Sequence, residues 1–246
     1  ACRQLSVIGT AEAVPALAAL LGDEKLSHMA RYGLEPIPSP AVDAALREAL
    51  DKLQGRLLVG VIVSLGVRQD ARAVEPIAKL LTNTDSDVAQ AAARTLGAIA
   101  TPEAAKALQG ALPNVSAASQ LAFCEGALRC AEALAAKGDQ QRALALYNQM
   151  RALPLAPQQV RTAAVRGAIL NAKDSAKSLQ EALASSDYVQ FAGAIRAAQE
   201  LRGAAVTKAL VAGMAALSDD HKIVVMQTIG KRGDASAVPA LSAATK

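Results

Sequence analysis

The chain has 246 residues, 52% of them apolar, which is enough to bury a sizeable core. Aromatic residues are only 2% and Trp is absent, so a surface built for stacking bases is poorly served, and a net charge of +4 falls short of a nucleic-acid-binding stripe. The longest apolar run, residues 57–65, is about half the ~20 residues a membrane span needs.

The clearest stretch is Asp70–Thr101, which reads as two helices and two turns. Ala73, Val74, Ile77, Leu80 and Leu81 recur at three and four residues, an apolar stripe of helical period. Residues 82–85 break the pattern, and Ser86 or Asp87 is placed to cap a second helix carrying Val88, Ala91, Ala92, Thr95, Leu96 and Ile99. Helices this short are marginal in water without tertiary packing, so the unit needs neighbours of its own kind.

The same phrase recurs along the chain. Residues 10–17, TAEAVPAL, match residues 234–241, DASAVPAL, and residues 70–77 and 101–108 are variants. Asp or Thr caps these first helices, and Pro15, Pro76 and Pro239 tighten their first turns. Looser starts fall near Ser39, Asp139, Asp174 and Gly203. Second helices are predicted at Ala1–Ile8, Leu26–Glu35, Arg56–Val67, Ser86–Ala100, Ala117–Lys137, Pro157–Asn171, Asp187–Arg202 and Asp219–Lys231. Intervals of about 30 residues, stretching to about 35–38 in the middle, are those of helical repeat arrays. The expected fold is all-α, a right-handed α-solenoid of about eight stacked helix pairs. One domain is expected over 1–246, with a truncated first unit at 1–9. The opening in mid-pattern, without Met, reads as a fragment of a longer chain.

The phrases AEAVPALAALL, DSDVAQAAARTLGAIATPEAAKAL and GDASAVPALSAA resemble HEAT repeats of the type found in phycobilisome lyases and many bacterial scaffold proteins. The resemblance covers nearly the whole chain. Residues 133–147, ALAAKGDQQRALALY, look more like a tetratricopeptide repeat, with Gly138-Asp139 as the turn and Ala143 and Tyr147 at packing positions, so units over about 117–171 are longer and of that kind. A looser resemblance to HEAT arrays of exported planctomycete and verrucomicrobial proteins implies a periplasmic or exported location.

Candidate chemistry is sparse. Cys2, Cys124 and Cys130 are odd in number and read as free thiols, Cys130 aligning with Thr95 in a core position. His28 and His221 lack ligand partners at metal spacing, so neither metal nor cofactor is expected. His28, Arg31, Tyr32 and Glu35 share one helix face, the one cluster that could do proton chemistry; the alternative is that Glu35 pairs with Arg31 and His28 is a surface residue. The helix at 56–67 is apolar almost all round, so either the Pro36–Pro40 corner or neighbouring units cover it, or Val59 and Val63 stay partly exposed on the inner surface as a patch.

Aligning the second helices on their leucine-glycine phrases puts Arg3, Arg94, Arg129, Arg166 and Arg196 in one column. Arg31 joins with one residue of slack, and Val63 and Gln227 fill the other rungs. Glu125 before Arg129 and Glu35 after Arg31 are local partners at four residues. The resemblance implies that second helices line the concave side, so the column becomes a line of guanidinium groups along a groove; the alternative is a solvated, charge-bearing face, or arginines paired with acids of adjacent units. Arg forks recognise carboxylates. The expected function is a non-catalytic protein-interaction scaffold for an extended acidic protein or peptide, with any enzymatic activity residing in a missing domain. The alternatives are a chromophore lyase or isomerase, which the family suggests, and a HEAT-like nucleic-acid binder.

Overall fold

The computed structural model describes residues 1–154 and 156–244, and every regular element among them is helical. The predicted second helices are all present: α1 (Cys2–Ile8), α3 (Ser27–Leu34), α5 (Gly55–Val67), α7 (Ser86–Ile99), α9 (Ala117–Ala136), α11 (Gln158–Leu170), α13 (Tyr188–Glu200) and α15 (Asp219–Arg232). Between them lie the first helices α2 (Val14–Ala18), α4 (Pro40–Leu50), α6 (Val74–Lys79), α8 (Pro102–Ala111), α10 (Gln140–Ala152), α12 (Ser175–Leu183), α14 (Ala204–Gly213) and α16 (Val238–Ala244).

Local chemistry sets these boundaries. The side chains of Ser39, Asp70, Thr101, Asp139, Asp174 and Asp234 each accept a backbone N–H at the start of a first helix, a cap worth about 1 kcal/mol. Thr10 and Gly203 occupy equivalent places without such a bond. At α7 the cap is Asp85, which accepts from Asp87 N, and not Ser86 or Asp87 as the pattern suggested; the break before the helix is one residue shorter than read. In three copies the shared phrase folds as a 3₁₀ turn (Ala11–Ala13, Ala71–Ala73, Ala235–Ala237) leading into an α-helix at Val14, Val74 or Val238, whereas the copy at 101–108 enters α8 directly at Pro102. Pro15, Pro76 and Pro239 lie within the first three positions of those helices, where a missing N–H leaves no ladder bond broken.

The chain divides into two compact units, Ala1–Lys137 and Gly138–Lys246. In the first, α1, α3, α5, α7 and α9 pack side by side in that order as one layer, and α2, α4, α6 and α8 lie against them as the other. Leu17, Leu34, Leu46, Ile62, Leu65, Ile77, Leu96, Leu108 and Phe123 are fully buried between the layers. The second-helix layer is held at its tightest by small residues. Thr95 Oγ1 donates to the Ile62 carbonyl at 3.2 Å, and a Cβ on Gly97 would run into the Gly126 backbone, so α7 and α9 touch main chain to main chain.

In the second unit, α11, α13 and α15 pack in succession with α10, α12 and α14 against them. Ala143 and Tyr147 are buried, and the Tyr147 ring fills the space where a Gly167 side chain would stand. Gly138 has φ 87°, the left-handed turn that only glycine adopts freely.

Candidate functional site

The register of the second helices in the first unit decides which side chains face outward together. Ser64 Oγ donates to Glu35 Oε1 at 2.6 Å, Thr95 bonds Ile62, and Gly126 abuts the Ala93 carbonyl. These contacts fix α3 on α5, α5 on α7 and α7 on α9. One residue before Ser64, Thr95 and Gly126 stand Val63, Arg94 and Glu125, all exposed and spaced at intervals of 31 residues. On α3 the equivalent exposed residue is Tyr32, one place before Gly33, whose Cα faces the Cys2 carbonyl and sets Arg3 beside it.

The result is a ladder: Arg3, Tyr32, Val63, Arg94, Glu125. One helical turn further along lie Pro36, Val67, Ala98 and Arg129, and one turn back lie His28, Val59, Gln90 and Leu121. Its middle is apolar and open to solvent: Tyr32 is 47% exposed, Val63 45% and Val67 60%, and Leu121 on α9 is 41% exposed. Val59 is half-buried.

This arrangement corrects the arginine column at two rungs. Arg31 does not stand on the outer face. It lies half-buried across Gly60, donating from Nη1 to the Gly60 carbonyl at 3.3 Å, and any Cβ at position 60 would occupy its guanidinium. Tyr32 takes the rung instead. Burial lowers the Arg31 pKa, with Glu35 opposing through space, and its buried Nε has no acceptor among the described residues. The second correction is at α9, where Glu125 is level with Arg94 and Arg129 stands one turn on.

The charges pair accordingly. Arg94 Nε donates to Glu125 Oε2 at 2.8 Å, so Glu125 serves the neighbouring helix rather than Arg129. Among the described residues, Arg3 and Arg129 are exposed and carry no ion pair or side-chain hydrogen bond to an acid. In the second unit, Arg166 donates from Nε and Nη2 to both carboxylate oxygens of Glu200, whose pKa this hydrogen bond lowers. Arg196 and Gln227 are exposed.

The His28, Tyr32, Glu35 cluster does not converge. Glu35 turns to Ser64, while His28 and Tyr32 are exposed and bond neither to it nor to each other among the described residues. His221 lies half-buried against the Phe191 ring at 3.9 Å. Among the described residues no group of three or more His, Cys, Asp or Glu could hold a metal ion, and no helix is long and apolar enough to cross a membrane. The three cysteines are free, with Cys124 and Cys130 buried.

Hollows among the described residues lie elsewhere, among them two with charged rims. A shallow groove of about 710 Å³ on α6 and α8 is rimmed by Arg72, Glu75, Glu103 and Lys106, a mixture that favours neither sign of charge. A cavity of about 380 Å³ in the second unit lies beside Arg202, Lys231 and Arg232. Arg232, however, is spent on the main chain, donating to the carbonyls of Ala198, Leu201 (2.7 Å) and Gly203 (3.1 Å).

Arg232 belongs to a class of residue that periodicity does not reveal. Arg68, at the end of α5, reaches back to the carbonyls of Glu35 (2.7 Å), Ile37 (2.9 Å) and Ser39 (3.2 Å) and to the Asp43 carboxylate. Lys137 likewise donates to the Ala100 carbonyl at 3.2 Å. Each cation ties the end of one second helix to the loop after the preceding one. The only signal in the sequence is a cation at the end of a second helix, as at 68, 137 and 232.

No curated protein matches the chain. Among solved structures it is similar to human deoxyhypusine hydroxylase in complex with glycerol, with 20% identity, TM-score 0.47, and coverage of 94% of this chain and 89% of that one. It is also similar to the complex of CpcE and CpcF of phycocyanin lyase from Nostoc sp., with 22% identity, TM-score 0.48, and coverage of 88% and 93%. An engineered protein matches at 19% identity and TM-score 0.40, covering 99% and 87%. Residues 44–122 match the family model for HEAT repeats; they span α5 to α8 with the adjoining parts of α4 and α9, so this stretch of the chain is built of HEAT repeats.

Proposed function

We propose that the protein is a non-catalytic interaction scaffold, and that the outer face of the second helices in its first unit binds an extended, carboxylate-bearing protein segment. One observation carries this reading: Tyr32, Val63 and Val67 are open to solvent on adjacent helices whose opposite sides bury Ala30, Leu34, Ile62 and Leu65 in the core. Contiguous apolar side chains left uncovered in this way mark interaction surfaces more often than isolated ones do. The backbone beneath them is held by the Ser64 bond to Glu35 and the Thr95 bond to Ile62, so the face is already ordered and little conformational entropy is lost when a partner docks.

The test uses a fluorescein-labelled synthetic peptide of mixed leucine and glutamate content, read by anisotropy. Wild type binds it, and Val63→Asp weakens binding several-fold with a melting temperature nearly unchanged, because Val63 is 45% exposed. Unaltered binding by Val63→Asp, or a collapse of its stability, contradicts the reading.

A further inference from the structure

The ladder also specifies the pattern of the segment it takes, an inference that rests on the function proposed above. Its exposed cations without an acidic partner among the described residues are at its two ends, Arg3 on α1 and Arg129 on α9, with the valines of α5 midway. Arg94, between α5 and Arg129, is already matched by Glu125 at 2.8 Å. Two helix spacings separate α5 from either end. At roughly 8–10 Å per packed helix pair, each arm of the ladder is about 16–20 Å. An extended chain advances about 3.3 Å per residue, so each arm takes about six residues.

We infer that the ligand is an extended segment with an apolar residue seated on Val59, Val63 and Val67 and a carboxylate about six residues away on each side, one for Arg3 and one for Arg129. The apolar residue supplies desolvation. The carboxylates supply register, because a segment slid by one helix spacing places an acid beside Glu125 or over Tyr32. Ala98, between Val67 and Arg129, and Pro36, next to Tyr32, carry no charge, so the intervening positions need only be small or polar. An arginine fork at each end takes a carboxylate through paired donors, and the exposure of both makes the interaction sensitive to salt.

The experiment compares four labelled synthetic peptides on the whole chain by anisotropy, each otherwise built of glycine and serine. The first has a central leucine with glutamate six residues to either side. The second replaces leucine with serine, the third replaces both glutamates with glutamine, and the fourth moves both glutamates next to the leucine. The first should bind at least about tenfold more tightly than the second. It should bind several-fold more tightly than the third and fourth, and that advantage should vanish at high salt. Arg129→Ala should remove the benefit of one glutamate and Arg3→Ala that of the other. Equal binding of the first, third and fourth peptides overturns the spacing while leaving the scaffold reading intact. No binding of any peptide overturns both.

Discussion

Glu125 stands one helical turn before Arg129 on the same helix, yet its carboxylate accepts from Arg94 Nε on the adjacent helix at 2.8 Å. The pair is about half exposed on both sides, where an ion pair contributes at most about 1 kcal/mol. Its main effect is to neutralise one cation in the ladder. Glu125→Gln is therefore expected to lower stability by less than about 1 kcal/mol and to raise affinity for an acidic peptide several-fold by releasing Arg94. Anisotropy with the peptide, alongside a urea melt, checks both halves.

The close approach of α7 and α9 is a second point of test. A side chain at Gly126 would meet the Ala93 carbonyl and the Arg94 nitrogen, both main-chain atoms that cannot rotate away. Gly126→Ala gains up to about 1 kcal/mol of helix propensity but forces the helices apart, an overpacking cost of about 1–3 kcal/mol or more. The net result should be a destabilised protein, whereas Gly110→Ala, where an added Cβ meets nothing within 4 Å, should be neutral or stabilising. Equal melting temperatures for the two variants would contradict the packing described.

Arg68 should prove as important as any apolar residue near it. Its side chain is 12% exposed and serves three carbonyls of the 35–39 corner as well as Asp43. A lysine has one compact charge and cannot span these acceptors. Arg68→Lys should cost about 2–4 kcal/mol in urea unfolding, as expected when several buried polar groups lose their partner.

The buried thiols give a pH dependence. Desolvation pushes Cys124 and Cys130 up to about 11, with Glu125 adding to the first and Lys137 opposing in the second. A raised folded pKa means that the unfolded chain releases its proton first as pH climbs. Each thiol's contribution is thus fully present below about pH 9 and is lost toward pH 11, by an amount on the order of 2–3 kcal/mol. Stability measured across that window should fall for wild type and fall less for Cys130→Ala. At neutral pH, Cys2 should alkylate first and the other two only on unfolding.

The sequence located the second helices to within one or two residues, because caps and apolar periodicity are local signals. Val63 could also be read as exposed, since a helix apolar all round cannot bury every side against one layer. The register of α9 could not. Alignment on leucine-glycine phrases placed Cys130 with Thr95, whereas the residue that packs at that level is Gly126, chosen by backbone contact with α7. Arg31 was misplaced for a similar reason. What draws it inward is the absent side chain of Gly60, 29 residues away on another helix. The corner cations Arg68 and Arg232 act on carbonyls 29 to 34 residues back, which no pattern within a helix reports.

The most direct test of the ladder as a binding surface is a methyl NMR titration of valine- and leucine-labelled protein with the leucine-centred, glutamate-flanked peptide. The methyl resonances of Val59, Val63 and Val67 should shift most, while those of Val74 in α6 and Leu108 in α8, buried in the other layer, should hardly move. Shifts concentrated on Val74 or on the second unit's Val211, with α5 silent, would contradict the account.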